Sequence, residues 1–322
     1  MTSIGFSAMG YFLPPTLRSV EELAATARVS SSPDKLRALG YGNIHIAADE
    51  TVAELAACAV ADLIDRTGFD LARIGMILYG SGLGVNSMVD PGAEFAWTAG
   101  TNPVPFFKFP ASQLQHALGL PQVPVLGVTQ LACCAFQGCV RLASGILHAE
   151  PEIEHVLCVS ADRFPESANR EIVYNLMSDG ACAAVLSRSA PCHRLLAMAQ
   201  ISRGVYWDGE ASHDRLIAAT FPLVRQVFLA ALAQASVRVE DLALVIPHNI
   251  NGKSWEILSQ VLGLPLHKIF TQNIARIGHA VASDNIINYL DALDAGRLRP
   301  GDKVALLVTG FGAHWNCLIV EV

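Results

Sequence analysis

Apolar runs bounded by turn residues recur along the chain. GMILYGSG (75–82), VPVLGVT (123–129), HVLCVSA (155–161) and CAAVLS (182–187) have the length and continuity of strands buried on both faces. Between them the apolar positions take the helical period, over DETVAELAACAVADLIDRTG (49–68), PASQLQHALGL (110–120) and CAFQGCVRLASGILHAE (134–150). Strand alternating with helix predicts β-α-β units and a largely parallel sheet covered on both faces. The C-terminal part repeats the theme. It has helices over 221–236, 254–264 and 284–298, strands over 242–249 and 303–312, and a turn at RPGDK (299–303). The polar stretch SRSAPCH (187–193) is the best junction and divides the chain into 1–187 and 188–322. The two halves share element order but no repeat in residues.

Composition widens this picture. The chain has 322 residues, 52% of them hydrophobic and 16% charged. That supports two packed units or one large α/β body, with apolar surface left for an oligomer interface. The net charge is −7 and no Lys/Arg block stands out, which argues against a nucleic-acid surface and a polybasic membrane anchor. The start, MTSIGFSAMGYFLPP, lacks a charged n-region and a long apolar h-region, and no apolar stretch reaches about 18 residues. The expectation is a cytoplasmic protein with no membrane span.

Eight cysteines are present, with no C-x-x-C pair and no zinc-type spacing. Free thiols are expected, and neither a metal nor a cofactor. Three of them, Cys133, Cys134 and Cys139, crowd VTQLACCAFQGCVRLASGIL, where an apolar strand turns into a helix. Buried filler, metal ligands, a redox pair, or a nucleophile with a bystander all fit that stretch alone. A cysteine just before a helix faces the first unpaired N–H groups, a field that favours a thiolate. Cys133 has that place; Cys134 is one step into the helix, and Cys139 falls on its core face. Two histidines follow at the ends of apolar segments, His248 in VIPHNINGKSW and His279 in ARIGHAVASDN. Either alone is more often a structural residue. Cysteine with histidines is the composition of nucleophilic acyl transfer.

These stretches, taken in order, resemble the thiolase-fold condensing enzymes, and most closely the β-ketoacyl-ACP synthase III branch. LACCAF resembles the nucleophile motif, with Cys133 at the nucleophile. MSDGACAAVLS, with Asp179, resembles the family's glycine-rich strand; PHNIN resembles its histidine motif; GHAVASD its asparagine motif; and GFGAHW its C-terminal glycine loop. GYFLPP, AADETVAELA and FPASQLQHALG are also similar, so the resemblance spans nearly the whole chain. It implies a five-layered αβαβα thiolase fold with two similar halves, usually a homodimer. It also implies that Cys133 takes an acyl group from a coenzyme A or acyl carrier protein thioester. His248 and His279 would be the catalytic histidines. The N–H groups of Cys133 and Gly312 would form the oxyanion hole, with Gly310 as the alternative. Lys253 would dock the carrier and Asn251 would orient its loop. Asp284 reads as a helix start and His314 as a packing or surface residue.

Three departures from the family pattern bear on function. His279 stands where the initiating synthases have asparagine, and paired histidines are typical of the elongating enzymes. No tryptophan lies near residues 30–48, and the arginines expected after the YG are missing, which favours a carrier-protein donor over coenzyme A. The segment 82–108 is longer than usual and reads as an interface loop or a reshaped acyl pocket. The leading expectation is decarboxylative condensation of the acyl-cysteine with a malonyl thioester. Transfer to an amine or hydroxyl without decarboxylation is the alternative, and a subunit of a heteromeric synthase is the third reading.

Overall fold

A computed structural model describes residues 3–87, 104–189 and 191–322. Five strands form the N-terminal half of one sheet: β1 (Gly5–Phe12), β2 (Met76–Gly80), β3 (Val125–Val128), β4 (His155–Asp162) and β5 (Gly180–Ser187). Four form the other half: β6 (His193–Ser202), β7 (Leu242–Pro247), β8 (Lys303–Gly310) and β9 (His314–Glu321). The strand order is β7-β8-β9-β6-β1-β5-β4-β2-β3. Within the sheet the halves join where β1 pairs β6, at Gly5↔Arg194 and Phe6↔His193.

Each half follows one scheme. β2 runs parallel to β3 and β4, and β5 is antiparallel to β4 and β1. Likewise β7 runs parallel to β8, and β9 is antiparallel to β8 and β6. A single parallel bridge, Val245↔Ile269, stands where β3 stands in the first half. The sheet is therefore mixed and not largely parallel. Residues 311–313 alone join β8 to β9, and so short a link permits only an antiparallel return.

Beside three six-residue helices, Val20–Ala25, Pro33–Ala38 and Gln272–Ile277, the longer helices of the described residues are α1 (Val52–Thr67), α2 (Pro110–Ala117), α3 (Ala135–Ala149), α4 (His213–Ala235), α5 (Gly252–Leu262) and α6 (Asp284–Asp294). α1 shows how firmly the sequence sets such an element. Thr51 and Glu54 close a capping box, and Gly68 ends the helix at φ 67. Its stripe Leu55, Ala59, Leu63 packs on Ile77, Leu157 and Val185. Gly10 lets β1 approach, since a Cβ there would lie 2.3 Å from the Leu63 nitrogen.

Three apolar clusters define the layers. α1 and α2 cover the outer face of the first half-sheet. α3 and α6 lie between the halves, with Phe136, Val140, Ile286 and Tyr289 packed on Leu78, Cys158, Ile246 and Leu318. α4 and α5 cover the far face through Phe228 and Trp255, against Val245, Leu307 and Trp315. This is the five-layered αβαβα thiolase fold that the resemblance implied. By length and composition α4 alone, among the described residues, would suit a membrane span. Its Val224, Val227, Phe228 and Ala231 are buried on the sheet instead. Of the segment 82–108, residues 88–103 lie outside the described residues.

The two middle helices start at the same place. α3 begins just after Cys133, α6 begins five residues after His279, β7 ends just before His248, and β8 ends at Gly310.

Candidate active site

Cys133 sits in a single tight turn, Ala132–Cys134, that leads into α3. Gln130 and Ala132 take left-handed conformations there, with φ 67 and 46. Such backbone costs about 1–3 kcal/mol per residue and persists only where the surroundings enforce it. Here they do. The Cys134 N–H donates to the Leu131 carbonyl at 3.0 Å. Gly310 lies so close that a Cβ on it would be 2.5 Å from the Leu131 oxygen and 3.2 Å from the Cys133 nitrogen.

The other two cysteines of the cluster are core residues. The Cys134 thiol points at the Val308 and His314 carbonyls, at 3.9 and 3.7 Å, and burial pushes its pKa well up. Cys139 is fully buried beneath Gly80 and is raised by the same cause. Cys133 is the one with an imidazole beside it.

That imidazole is His279. Gly278 turns the chain out of a short helix at φ 64, where a Cβ would lie 2.8 Å from the Leu176 oxygen. The His279 N–H then donates to the Leu176 carbonyl at 2.8 Å, and its own carbonyl accepts from the Ser178 N–H at 2.9 Å. The neighbouring Asp179 is held by a buried pair with Arg170, at 2.5 and 3.1 Å, and accepts from the Ala47 and Phe164 N–H groups. This wall fixes the His279 backbone. Its ring places Nε2 3.2 Å from Cys133 Sγ and Nδ1 2.5 Å from Asp284 Oδ2.

Asp284 is the first residue of α6, as the helix-start reading had it, but its carboxylate does not cap that helix. It accepts from the Ala280 N–H at 2.7 Å, the Asn249 N–H at 2.6 Å and the His279 ring. Cysteine, histidine and aspartate thus stand in line. Burial alone would depress the His279 pKa. The Asp284 carboxylate and then Cys133 override it and hold the ring well above the ordinary histidine range.

His248 has the opposite character. Its backbone is pinned by the Leu307 carbonyl and by the Trp255 indole N–H, at 3.1 and 3.0 Å. Its ring lies 5.6 Å from that of His279, nearly perpendicular at 71°. Burial, and then the charge on His279, pushes its pKa well below the ordinary value. One charged and one neutral imidazole side by side is the separation that assigns acid–base roles. Of the two catalytic histidines that the resemblance implied, the structure puts His279 on the sulfur.

The remaining candidates divide. Asn251 caps α5, accepting from the Ser254 N–H at 2.9 Å, and its own N–H donates to Asn175 at 3.0 Å. Lys253 is exposed on α5 and pairs with Glu256 at 2.9 Å. The glycine found against the Cys133 nitrogen is Gly310. Gly312, at φ 115, has its neighbours in the His314 ring. His314 pairs with Ser202 at 2.8 Å. Among the described residues no group of three or more His, Cys, Asp or Glu could hold a metal. The sequence reading passed over Asp284 as a partner of His279, and over Thr309, whose hydroxyl lies 3.0 Å from His248 Nε2. The five-residue step from His279 to Asp284 was the available signal for the first.

Residues 232–322, which carry His248, His279, Asp284 and Gly310, match a family model described as 3-oxoacyl-[acyl-carrier-protein (ACP)] synthase III C terminal. The chain is 27% identical over 335 residues to a β-ketoacyl-[acyl-carrier-protein] synthase III of Sphingopyxis alaskensis, covering 97% of both proteins. Its fold is similar to that of 3-oxoacyl-[acyl-carrier-protein] synthase III from Aquifex aeolicus, with TM-score 0.83 and 20% identity over 99% of this chain and 100% of that one. It is equally similar to the acyltransferase ChlB3, with TM-score 0.83 and 23% identity over 99% of this chain and 98% of that one.

Proposed function

We propose that this thiolase-fold chain, β-ketoacyl-ACP synthase III-like from end to end, is an acyltransferase that forms an acyl-cysteine on Cys133. It condenses that acyl group with a malonyl thioester to give a 3-oxoacyl product, in fatty acid, polyketide or other specialised biosynthesis. The observation that carries this reading is the line Cys133–His279–Asp284, with 3.2 and 2.5 Å between partners. In loading, His279 holds the proton and the sulfur attacks the donor thioester carbonyl. The oxyanion is received by the Cys133 N–H and a backbone N–H of the Gly310–Gly312 loop. The leaving thiol takes the proton from His279. In condensation, the malonyl thioester oxygen accepts N–H groups from His248 and His279 as carbon dioxide leaves. The resulting carbanion then attacks the acyl-cysteine and releases the thiolate.

One observation favours a second reading. The Asp284 carboxylate holds the His279 proton at Nδ1, so a neutral His279 offers a lone pair, not an N–H, toward the sulfur. That ring is a base suited to a hydroxyl or amine acceptor. It serves condensation only while doubly protonated. Release of labelled carbon dioxide from a malonyl donor separates the two. Condensation predicts release by the wild type on acyl loading. No release, with the acyl-cysteine discharged onto an alcohol or amine, establishes simple transfer.

A carrier-protein donor is favoured over coenzyme A. The hairpin that leads to Leu176 carries Glu171, whose carboxylate accepts from the Ser30 and Ser31 N–H groups at 2.9 and 2.7 Å. It lines a cleft with Val173, Tyr174 and His213. Ser30 and Ser31 open the stretch 30–48, which lacks the tryptophan and, after the YG, the arginines that the initiating synthases turn toward coenzyme A. The carrier-bound donor should load Cys133 with the higher kcat/KM; equal efficiency for both donors contradicts this. Lys253 and Asn251 remain our candidates for the carrier side, and Gly312 for the second oxyanion donor.

We place the boundary between the halves at 187/188, between β5 and β6. A cytoplasmic homodimer fits the remaining surface. β3 ends the sheet with Leu126 48% exposed, and Leu142, Phe107 and Phe109 are exposed as well. An open edge flanked by apolar residues is suited to pairing with a second copy. Eight free cysteines agree with a reducing compartment.

A further inference from the structure

A file of buried asparagines leads away from Asp284. Asn249 Nδ2 lies 3.3 Å from Asp284 Oδ1. Asn249 Oδ1 lies 2.8 Å from Asn288 Nδ2, and Asn288 Oδ1 lies 2.8 Å from Asn273 Nδ2. Asn273 Oδ1 lies 3.2 and 3.0 Å from Nε and Nη2 of Arg276. The three asparagines are 0, 0 and 3% exposed, whereas the Arg276 side chain is 52% exposed. Three elements supply them. Asn249 follows β7 and His248, Asn288 lies on α6 one turn beyond Asp284, and Asn273 and Arg276 lie on the short helix Gln272–Ile277. Arg276 opens on a surface cleft that Phe270, Asp291 and Arg297 also line.

A carboxamide fits such a file in either sense, so fixed neighbours settle its direction. Arg276 has only donors, so Asn273 faces it with oxygen. Asn273 Nδ2 also donates to Asp291 Oδ2 at 2.7 Å, which sets the same orientation. Asn288 Nδ2 donates to the Pro247 carbonyl at 2.8 Å, a group that only accepts, so its oxygen is left for Asn273. Asn249 receives from Asn288 and turns its Nδ2 to the Asp284 carboxylate. Every donor therefore points inward, from the Arg276 guanidinium to Asp284. Hydrogen bonds aligned head to tail polarise one another, the more so away from water. The file ends on Asp284 Oδ1, while Oδ2 of the same carboxylate faces the His279 ring.

We propose that Asn249, Asn288 and Asn273 are positioning residues, a one-way hydrogen-bond relay through which Arg276 at the surface holds the Asp284 carboxylate in register with His279 and Cys133. The relay deepens the acyl-cysteine reading and rests on it. It makes a surface cation felt at the sulfur. When the outermost donor is removed, the carboxylate loses part of its hold on His279 and the thiol reacts more slowly.

Alkylation of Cys133 by iodoacetamide, followed by peptide mass in the full-length protein, reads this without any acyl donor. Arg276→Met keeps the aliphatic stem and removes the donors. It should slow alkylation about two- to fivefold, the lower end of what a substitution along such a network changes. Arg276→Lys, which keeps a donor, should recover most of the rate. Arg297→Met removes a cation from the same cleft, one that donates to the His267 carbonyl at 3.1 Å, and should leave the rate unchanged. Asn288→Leu cuts the relay inside the protein and should slow alkylation about three- to tenfold, the range of one net hydrogen bond. Adding Arg276→Met to Asn288→Leu should then bring no further loss. In protein labelled with 15N-asparagine, the Asn249 side-chain NH2 signals are assigned by their loss in Asn249→Ser. They should shift in Arg276→Met and stay in place in Arg297→Met. A wild-type rate in Arg276→Met, or an unshifted Asn249 signal, overturns the proposal, as do equal losses in Arg297→Met or losses that multiply in the double variant. If Asn288→Leu does not fold, the two arginine variants still decide. If wild-type Cys133 does not alkylate, the acyl-cysteine reading fails, while the Asn249 signal decides the relay by itself.

Discussion

Cys133→Ala loses turnover to background, a fall on the order of 10⁶-fold, as expected when a nucleophile is deleted from a unit that acts together. Cys134→Ala keeps most of the activity of each folded molecule. Its thiol faces the Val308 and His314 carbonyls, and burial keeps it protonated. Its loss is felt in the core instead, at about 1 kcal/mol for the sulfur removed. Turnover and thermal melts on the two variants give the comparison. Activity that survives in Cys133→Ala, or vanishes in a well-folded Cys134→Ala, would assign the chemistry to the wrong thiol.

His279→Ala slows acyl loading by about 10²- to 10⁴-fold, the usual contribution of a positioned acid–base group. Asp284→Asn causes a loss of similar order with the ring still present. The carboxylate is what raises His279 above its ordinary range. Without it the ring gives up its charge at neutral pH, and the sulfur keeps its proton. An asparagine amide can also donate to Nδ1 and so move the ring proton to Nε2, which leaves no lone pair for the thiol. The pH dependence of loading that the Asp284-held charge on His279 sets in the wild type is therefore lost in Asp284→Asn. Loading rates of both variants across pH, with melts to confirm folding, check this. An unchanged profile in Asp284→Asn would mean that Asp284 serves only the backbone N–H groups of Ala280 and Asn249.

Much of this site could be read from the chain. The strand-to-helix turn at Cys133 and the histidines closing two apolar segments carry local signals, and the order of motifs carried the fold. Other features had no local signal. β1, β6 and β9 do not stand out as strands: HRLLAMAQIS in β6 is rich in leucine, alanine and methionine, which suit a helix equally, and β1 is broken by Gly5 and Gly10. Without those strands the alternation suggested a parallel sheet. Asp284 illustrates a different limit. Aspartate at a helix start is so often a cap that sequence favours that role. Only the turn at Ala280–Ser283 brings its carboxylate back onto His279. Gly310 and Gly312 are equivalent by pattern, and it takes the packing of β8 on the Leu131 carbonyl to tell them apart.

The central claim is that Cys133, held by His279 and Asp284, takes up an acyl group. Mass analysis of the wild-type protein after incubation with a carrier-bound acyl donor, followed by peptide mapping, tests it most directly. The account predicts one acyl group per chain, on the peptide of Cys133 and at that residue. An adduct at Cys134 or Cys139, or a protein that stays unmodified while the donor is consumed, would contradict it.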